Sequence, residues 1–176
     1  QQNVDEQTEI SSIPNIYGLT KLLGEELLKN EEFKLLILRL PAILTKNCEK
    51  TFIYKIYKSL QNNENISITN FNQLFNNIVD VHSIFNFIIN YDFSLRNDIY
   101  ILANHQEYTL TQIIEFMKKK LKSNSNIIYN QNKTNFYNIN IEKSLKKCNY
   151  INNNILDSLD DWIKLLEGKN EISCIK

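Results

Sequence analysis

The chain has 176 residues, 43% of them hydrophobic, and 20 basic against 20 acidic side chains, so its formal net charge is zero. That length is enough for one domain with a real core, and the charge balance gives no basis for nucleic acid or an anionic membrane as a general partner. No apolar run approaches the roughly 20 residues that span a bilayer, no signal peptide is visible, and Cys48, Cys148 and Cys174 fit neither a disulfide framework nor a zinc site.

The cysteines read as unpaired thiols in a reducing cytoplasm. His82 and His105 have no Cys or His at ligand spacing, so no metal is expected.

Residues 1–16 read as a polar loop containing Ser11, Ser12 and Pro14. Residues 16–30 read as a helix, with Leu19, Leu22, Leu23, Leu27 and Leu28 at helical spacing. Tyr17 and Lys21 are four apart and share one face of it. A phenol beside an ammonium is an acid/base device. A free tyrosine has a pKa of about 10, a fixed positive charge favours the phenolate, and proton transfer is best when the catalytic pKa lies near the working pH. The spacing alone is not diagnostic, because Tyr54/Lys58 and Tyr129/Lys133 repeat it.

Residues 33–40 read as a continuous apolar strand of a parallel sheet buried on both faces. Arg39 near its end is either solvated or close to a site. A helix is expected over 48–62, a turn over 62–65, and a short half-buried strand at Ile66 and Ile68. Residues 73–84 read as a strand-to-helix turn in which Asp80 is either a turn residue or a site residue, and the helix continues over 84–91. A strand follows at 98–103 and a loop at 104–107. An amphipathic helix then begins near Tyr108 with Thr109 as its N-cap. Lys118, Lys119, Lys120 and Lys122 complement the dipole at the end of that helix rather than forming a binding patch. Short strands at 127–129 and 136–139, a helix at 141–148 and a last helix at 155–166 complete the pattern, with a frayed polar tail after Gly168. Asp157, Asp160 and Asp161 read as a solvated face at the start of the last helix.

Pro14, Tyr17, Gly18, Thr20, Lys21 and Glu25, followed by Arg39 and Pro41, resemble a known pattern. It is P-x-x-x-Y-G-x-[ST]-K-x-x-x-E and then a strand ending in R-x-P, found in the extended short-chain dehydrogenase/reductase family. These are the NAD(P)-dependent nucleotide-sugar epimerases, dehydratases and reductases. Pro14 stands three places before the tyrosine rather than four. Asn77, Ile78, Val79, Asp80 and Val81 resemble a second family stretch, with Ser83 where Asp is usual. A serine there can still cap the next helix.

The resemblance implies an α/β fold: the C-terminal part of a Rossmann-type parallel sheet with a small mixed α/β substrate-binding lobe. Residues 1–60 would be the end of the dinucleotide-binding domain, and 61–176 mainly the substrate lobe, interleaved with the last Rossmann elements. By the same resemblance, Tyr17 is the general acid/base on a sugar hydroxyl or carbonyl, and Lys21 binds the nicotinamide ribose and lowers the tyrosine pKa. Leu40, Pro41, Ala42 and Ile43 pass the nicotinamide end of NAD or NADP, and Arg39, Asn77 and Asp80 lie on the nucleotide-sugar side. A homodimer paired through the Tyr17 helix is a further expectation. Gly18, Gly24 and Gly168 do not form the Gly-rich phosphate loop of the family. The chain is therefore expected to be the C-terminal portion of a longer cytoplasmic enzyme, inactive alone, with the strand at 33–40 on an exposed sheet edge. The alternative is a non-catalytic binding or assembly subunit derived from that family.

Overall fold

The computed structural model describes residues 2–8, 15–29, 34–94, 98–105, 107–131, 137–148 and 150–168. In chain order these form β1 (Gln2–Val4), α1 (Ile16–Lys29), β2 (Leu36–Arg39), β3 (Ala42–Leu44), α2 (Phe52–Gln61), β4 (Ile66–Ile68) and β5 (Ile78–Asp80). There follow α3 (Val81–Asn90), β6 (Asp98–Ile101), α4 (Leu110–Leu121), β7 (Ile127–Tyr129), β8 (Tyr137–Ile139), α5 (Glu142–Cys148) and α6 (Ile155–Leu166). Every strand pairing among the described residues is parallel: β1 with β8, β2 with β6, β3 with β5, and β4 with β7. The molecule is an α/β fold. None of the described helices is long and apolar enough to cross a membrane.

The chain parts at Leu40–Pro41. Before this point β2 runs beside β6, and after it β3 runs beside β5, with Ala42 opposite Ile78. Proline lacks the N–H a ladder needs, so the change of partner falls at the residue least able to stay paired. The segment after β6 follows the same switch: Leu102 N–H still donates to Arg39 O at 3.3 Å, and Asn104 N–H donates to Ile78 O at 2.9 Å.

Two hydrophobic cores flank this split. The first gathers Ile53, Leu60, Ile68, Ile113, Ile114 and Leu159 from α2, β4, α4 and α6. Trp162 joins it, and its indole N–H donates to Thr45 O at 2.9 Å, which satisfies the polar end of a buried ring. The second core gathers Val79, Phe87, Tyr100, Leu102 and Tyr150, with half-buried Leu36 and Leu38 against it.

Several expected boundaries shift for local reasons. The stretch 1–16 is not all loop: Gln2–Val4 is a strand, held by Tyr137–Ile139 rather than by any apolar alternation of its own. The helix expected from 48 begins at Phe52, because Thr51 is its N-cap and accepts from Tyr54 N–H. The helix expected from 84 begins at Val81, because Asp80 caps it. The strand expected to reach 103 ends at Ile101, where the chain crosses toward β5. The expected strand starts at Phe33 and Phe136 lie outside the described residues, as do Ser11, Ser12, Pro14 and Cys174.

Candidate active site

Asn15 fixes the start of α1. Its side-chain oxygen accepts the Gly18 N–H at 2.8 Å, which satisfies one of the donors a helix N-terminus leaves unpaired. Tyr17 and Lys21 then stand one turn apart, with the ammonium 5.4 Å from the Tyr17 ring centroid. Tyr17 is 71% exposed, so its hydroxyl is open to a ligand. The repeats of this spacing differ in surroundings. Lys58 lies 6.0 Å from the Tyr54 ring, but Tyr54 packs against Tyr57 and Trp162. Tyr129 packs against Phe71 at 5.0 Å, and Lys133 lies outside the described residues.

Helix α1 buries none of its residues fully. Its Gly18–Leu22–Glu25 side is the less exposed one, while Leu19, Leu23 and Leu27 point to solvent. A polar clasp ties it to the strand carrying Arg39. Arg39 Nε donates to Glu25 Oε1 at 3.1 Å and Nη2 to Oε2 at 2.7 Å. Its Nη1 donates to the Glu6 carbonyl at 3.3 Å, and Glu6 Oε1 accepts the Ile101 N–H at 2.9 Å. The Glu25 hydrogen bond foremost, and then the carboxylate charges of Glu25, Glu6 and Glu26, outweigh burial and raise the Arg39 pKa above its already high ordinary value.

A cavity of about 290 Å³ opens beside the start of the β3–β5 ladder. Ala42 and Asn77, picked out from distant parts of the sequence, both line it. Phe52, Phe75 and Leu110 form apolar walls, and Ser67 adds a hydroxyl. The Asn77 side-chain oxygen is buried and has no hydrogen-bond partner among the described residues. Crevices at the point where neighbouring strands diverge are where open α/β sheets bind ligands. Leu40 and Ile43 pack instead against the second core, and Pro41 is half-buried between the two strand pairs.

Asp80 is buried and faces inward. It accepts from Ser83 N–H at 2.9 Å, Ser83 Oγ at 2.6 Å, Ser158 Oγ at 3.1 Å and Asn153 Nδ2 at 3.3 Å. It thereby joins the N-terminal turns of α3 and α6. Asn76 is buried, and its side-chain nitrogen donates to Ile139 O at 2.7 Å while its oxygen accepts the Ile139 N–H at 3.2 Å.

Sequence reasoning brought out Tyr17, Lys21, Ala42 and Asn77 but gave no role to Glu6, and none to Phe52 or Phe75 as cavity walls. Glu6 and Arg39 are far apart in the chain and meet where Glu6 reaches the end of the β2–β6 ladder. The phosphate cradle of a dinucleotide site is not among the described residues: Gly18 and Gly24 lie within α1, and Gly168 follows α6.

No family model and no curated protein matches the sequence. Solved structures do match the fold. UDP-glucuronic acid 4-epimerase from Bacillus cereus, in complex with NAD, aligns at a TM-score of 0.76 with 15% identity, over 97% of this chain and 58% of that one. RMD from Pseudomonas aeruginosa, complexed with NADPH, aligns at 0.72 with 14% identity, over 94% and 61%. UDP-glucose 4-epimerase from Thermotoga maritima, with UDP-glucose, aligns at 0.66 with 12% identity, over 93% and 59%. The chain shares their fold and spans about three-fifths of their length.

Proposed function

We propose that this chain carries the tyrosine–lysine pair of an NAD(P)-dependent nucleotide-sugar epimerase, dehydratase or reductase of the extended short-chain dehydrogenase/reductase type. The observation that carries this reading is the exposed Tyr17 hydroxyl with Lys21 in contact with its ring, on a helix clasped to β2, in a fold matched by such enzymes.

In this reading Tyr17 takes a proton from a sugar hydroxyl, or gives one to the carbonyl oxygen. The Lys21 ammonium stabilises the phenolate left behind and donates to the ribose of the cofactor. The nicotinamide, when bound, supplies the hydride chemistry; the residues from Leu40 to Ile43 would bound its place. The cavity of Ala42 and Asn77 would take part of the nucleotide-sugar, with the Asn77 oxygen accepting a hydrogen bond. Asp80 would hold the floor of the site by capping α3 rather than by touching the ligand. We further assign the exposed leucines of α1 to pairing with a second copy.

The test is turnover of a UDP-sugar with NAD or NADPH by the natural protein and its Tyr17→Phe variant. Loss of at least a hundredfold in kcat is expected. Unchanged turnover in the variant sinks the reading.

A further inference from the structure

We infer that Arg39 is a positioning residue: with Glu25 and Glu6 it forms a clasp that sets the rotation of α1 and so aims the Tyr17–Lys21 edge. This rests on the function proposed above and deepens it, because it moves Arg39 from the substrate to the scaffold behind the acid/base pair.

Among the described residues, little else holds α1. A helix normally seats itself by an apolar stripe, yet α1 has no fully buried residue, and its Leu19, Leu23 and Leu27 face solvent. Apolar contact of that kind leaves rotation about the helix axis poorly defined. A forked bond does not. The guanidinium presents donors in a fixed plane, and both Glu25 oxygens meet it, at 3.1 Å from Nε and 2.7 Å from Nη2. The ion pair is largely shielded, with side-chain exposures of 30% for Arg39 and 15% for Glu25, so it is worth more than an open surface pair.

The other end of the clasp is equally fixed. Arg39 closes β2, which is paired residue by residue with β6. Its third contact is the Glu6 carbonyl, and the Glu6 carboxylate accepts from Ile101, the last residue of β6. The clasp therefore links α1, the chain after β1, and the C-terminal ends of both strands. Glu25 stands one turn beyond Lys21, which stands one turn beyond Tyr17. A rotation at Glu25 is thus passed along a rigid helix to the Tyr17 hydroxyl. Small misplacements of a catalytic group are costly in rate, up to about a hundredfold per ångström.

Kinetic constants of the natural protein, with Glu25→Gln, Arg39→Gln, the double variant and Arg39→Lys, test this together with amide hydrogen exchange over α1. Each single variant is expected to lower kcat about tenfold or more while KM for the nucleotide-sugar stays within threefold. The double variant should be no worse than the poorer single one, because both remove the same clasp. Arg39→Lys keeps the charge without the fork and should fall between. Exchange across α1 should quicken at least tenfold in Glu25→Gln, with β2 and β6 unchanged. A rise in KM confined to the Arg39 variants puts Arg39 on the substrate and overturns the inference. So does a fall in melting temperature with kcat and KM both intact. If the unaltered protein shows no turnover, the proposed function fails, and exchange decides the clasp alone: unchanged α1 protection in Glu25→Gln overturns it.

Discussion

Asp80 collects four hydrogen bonds while buried, and that count decides what its replacement does. An asparagine presents one acceptor oxygen where the carboxylate has two, so Asp80→Asn strands donors at the N-termini of both α3 and α6. Leaving a buried polar group unpaired costs about 1–3 kcal/mol. Asp80→Asn is therefore expected to lower the unfolding free energy from urea titration by about 1–3 kcal/mol, whereas Asp157→Asn, on the exposed side of α6, should leave it within about 0.5 kcal/mol. The phenol of Tyr150 shares this region. Burial first, and then the Asp80 charge, raise its pKa well above the ordinary tyrosine value. Below about pH 10 the phenol is neutral in both the folded and the unfolded chain. Above that the unfolded chain ionises first and binds fewer protons than the native state. Stability is thus full below about pH 10 and declines as pH rises. A series of urea midpoints from pH 8 to 11 should show the decline, and Tyr150→Phe should make it shallower.

Among the elements, α4 shows how a boundary is written locally. Thr109 accepts the Gln112 N–H, and the Gln112 side chain accepts the Thr109 N–H in return, the reciprocal cap that opens many helices. Thr109→Ala is expected to cost about 1 kcal/mol of stability, readable as a lower melting temperature with an unchanged fold by circular dichroism. Features of this kind were legible in the sequence: Thr109 as a cap, and α6 over Ile155–Leu166 with its apolar spacing. What was not legible depends on partners far along the chain. Gln2–Val4 is polar and short, and becomes a strand only because Tyr137–Ile139 runs beside it. The stretch 40–43, expected to pass the nicotinamide end of the cofactor, gave no local sign of a strand, yet Ala42–Leu44 form β3 because β5 supplies the ladder. Arg39 gave no local sign of whether it was solvated or engaged; Glu25, 14 residues away, answers that. The cavity likewise draws on Ala42, Phe52, Ser67 and Asn77, which no period of 2 or 3.6 would group together.

At the scale of the whole molecule, the outward leucines of α1 bear on association. Leu23 is 57% and Leu27 61% exposed, and apolar side chains aligned on one helix face favour contact with another surface. A Leu19→Lys/Leu23→Lys double variant is expected to sediment as a monomer where the unaltered protein forms dimers; an unaltered protein that stays monomeric at high concentration removes the second-copy assignment. The parallel pairings have a different consequence, one concerned with time. Gln2 is matched with Tyr137, so β1 leaves the ribosome some 135 residues ahead of its partner strand. At roughly 5–20 residues per second of synthesis, β1 waits on the order of ten seconds before its neighbour exists. Within that interval β6, which ends at Ile101, is completed, so Glu6 can take its place on the clasp while β1 still lacks a partner. It is thus β1, not the clasp that aims Tyr17, that stays unpaired longest, and a chaperone that shelters nascent chains would act on that strand for longest.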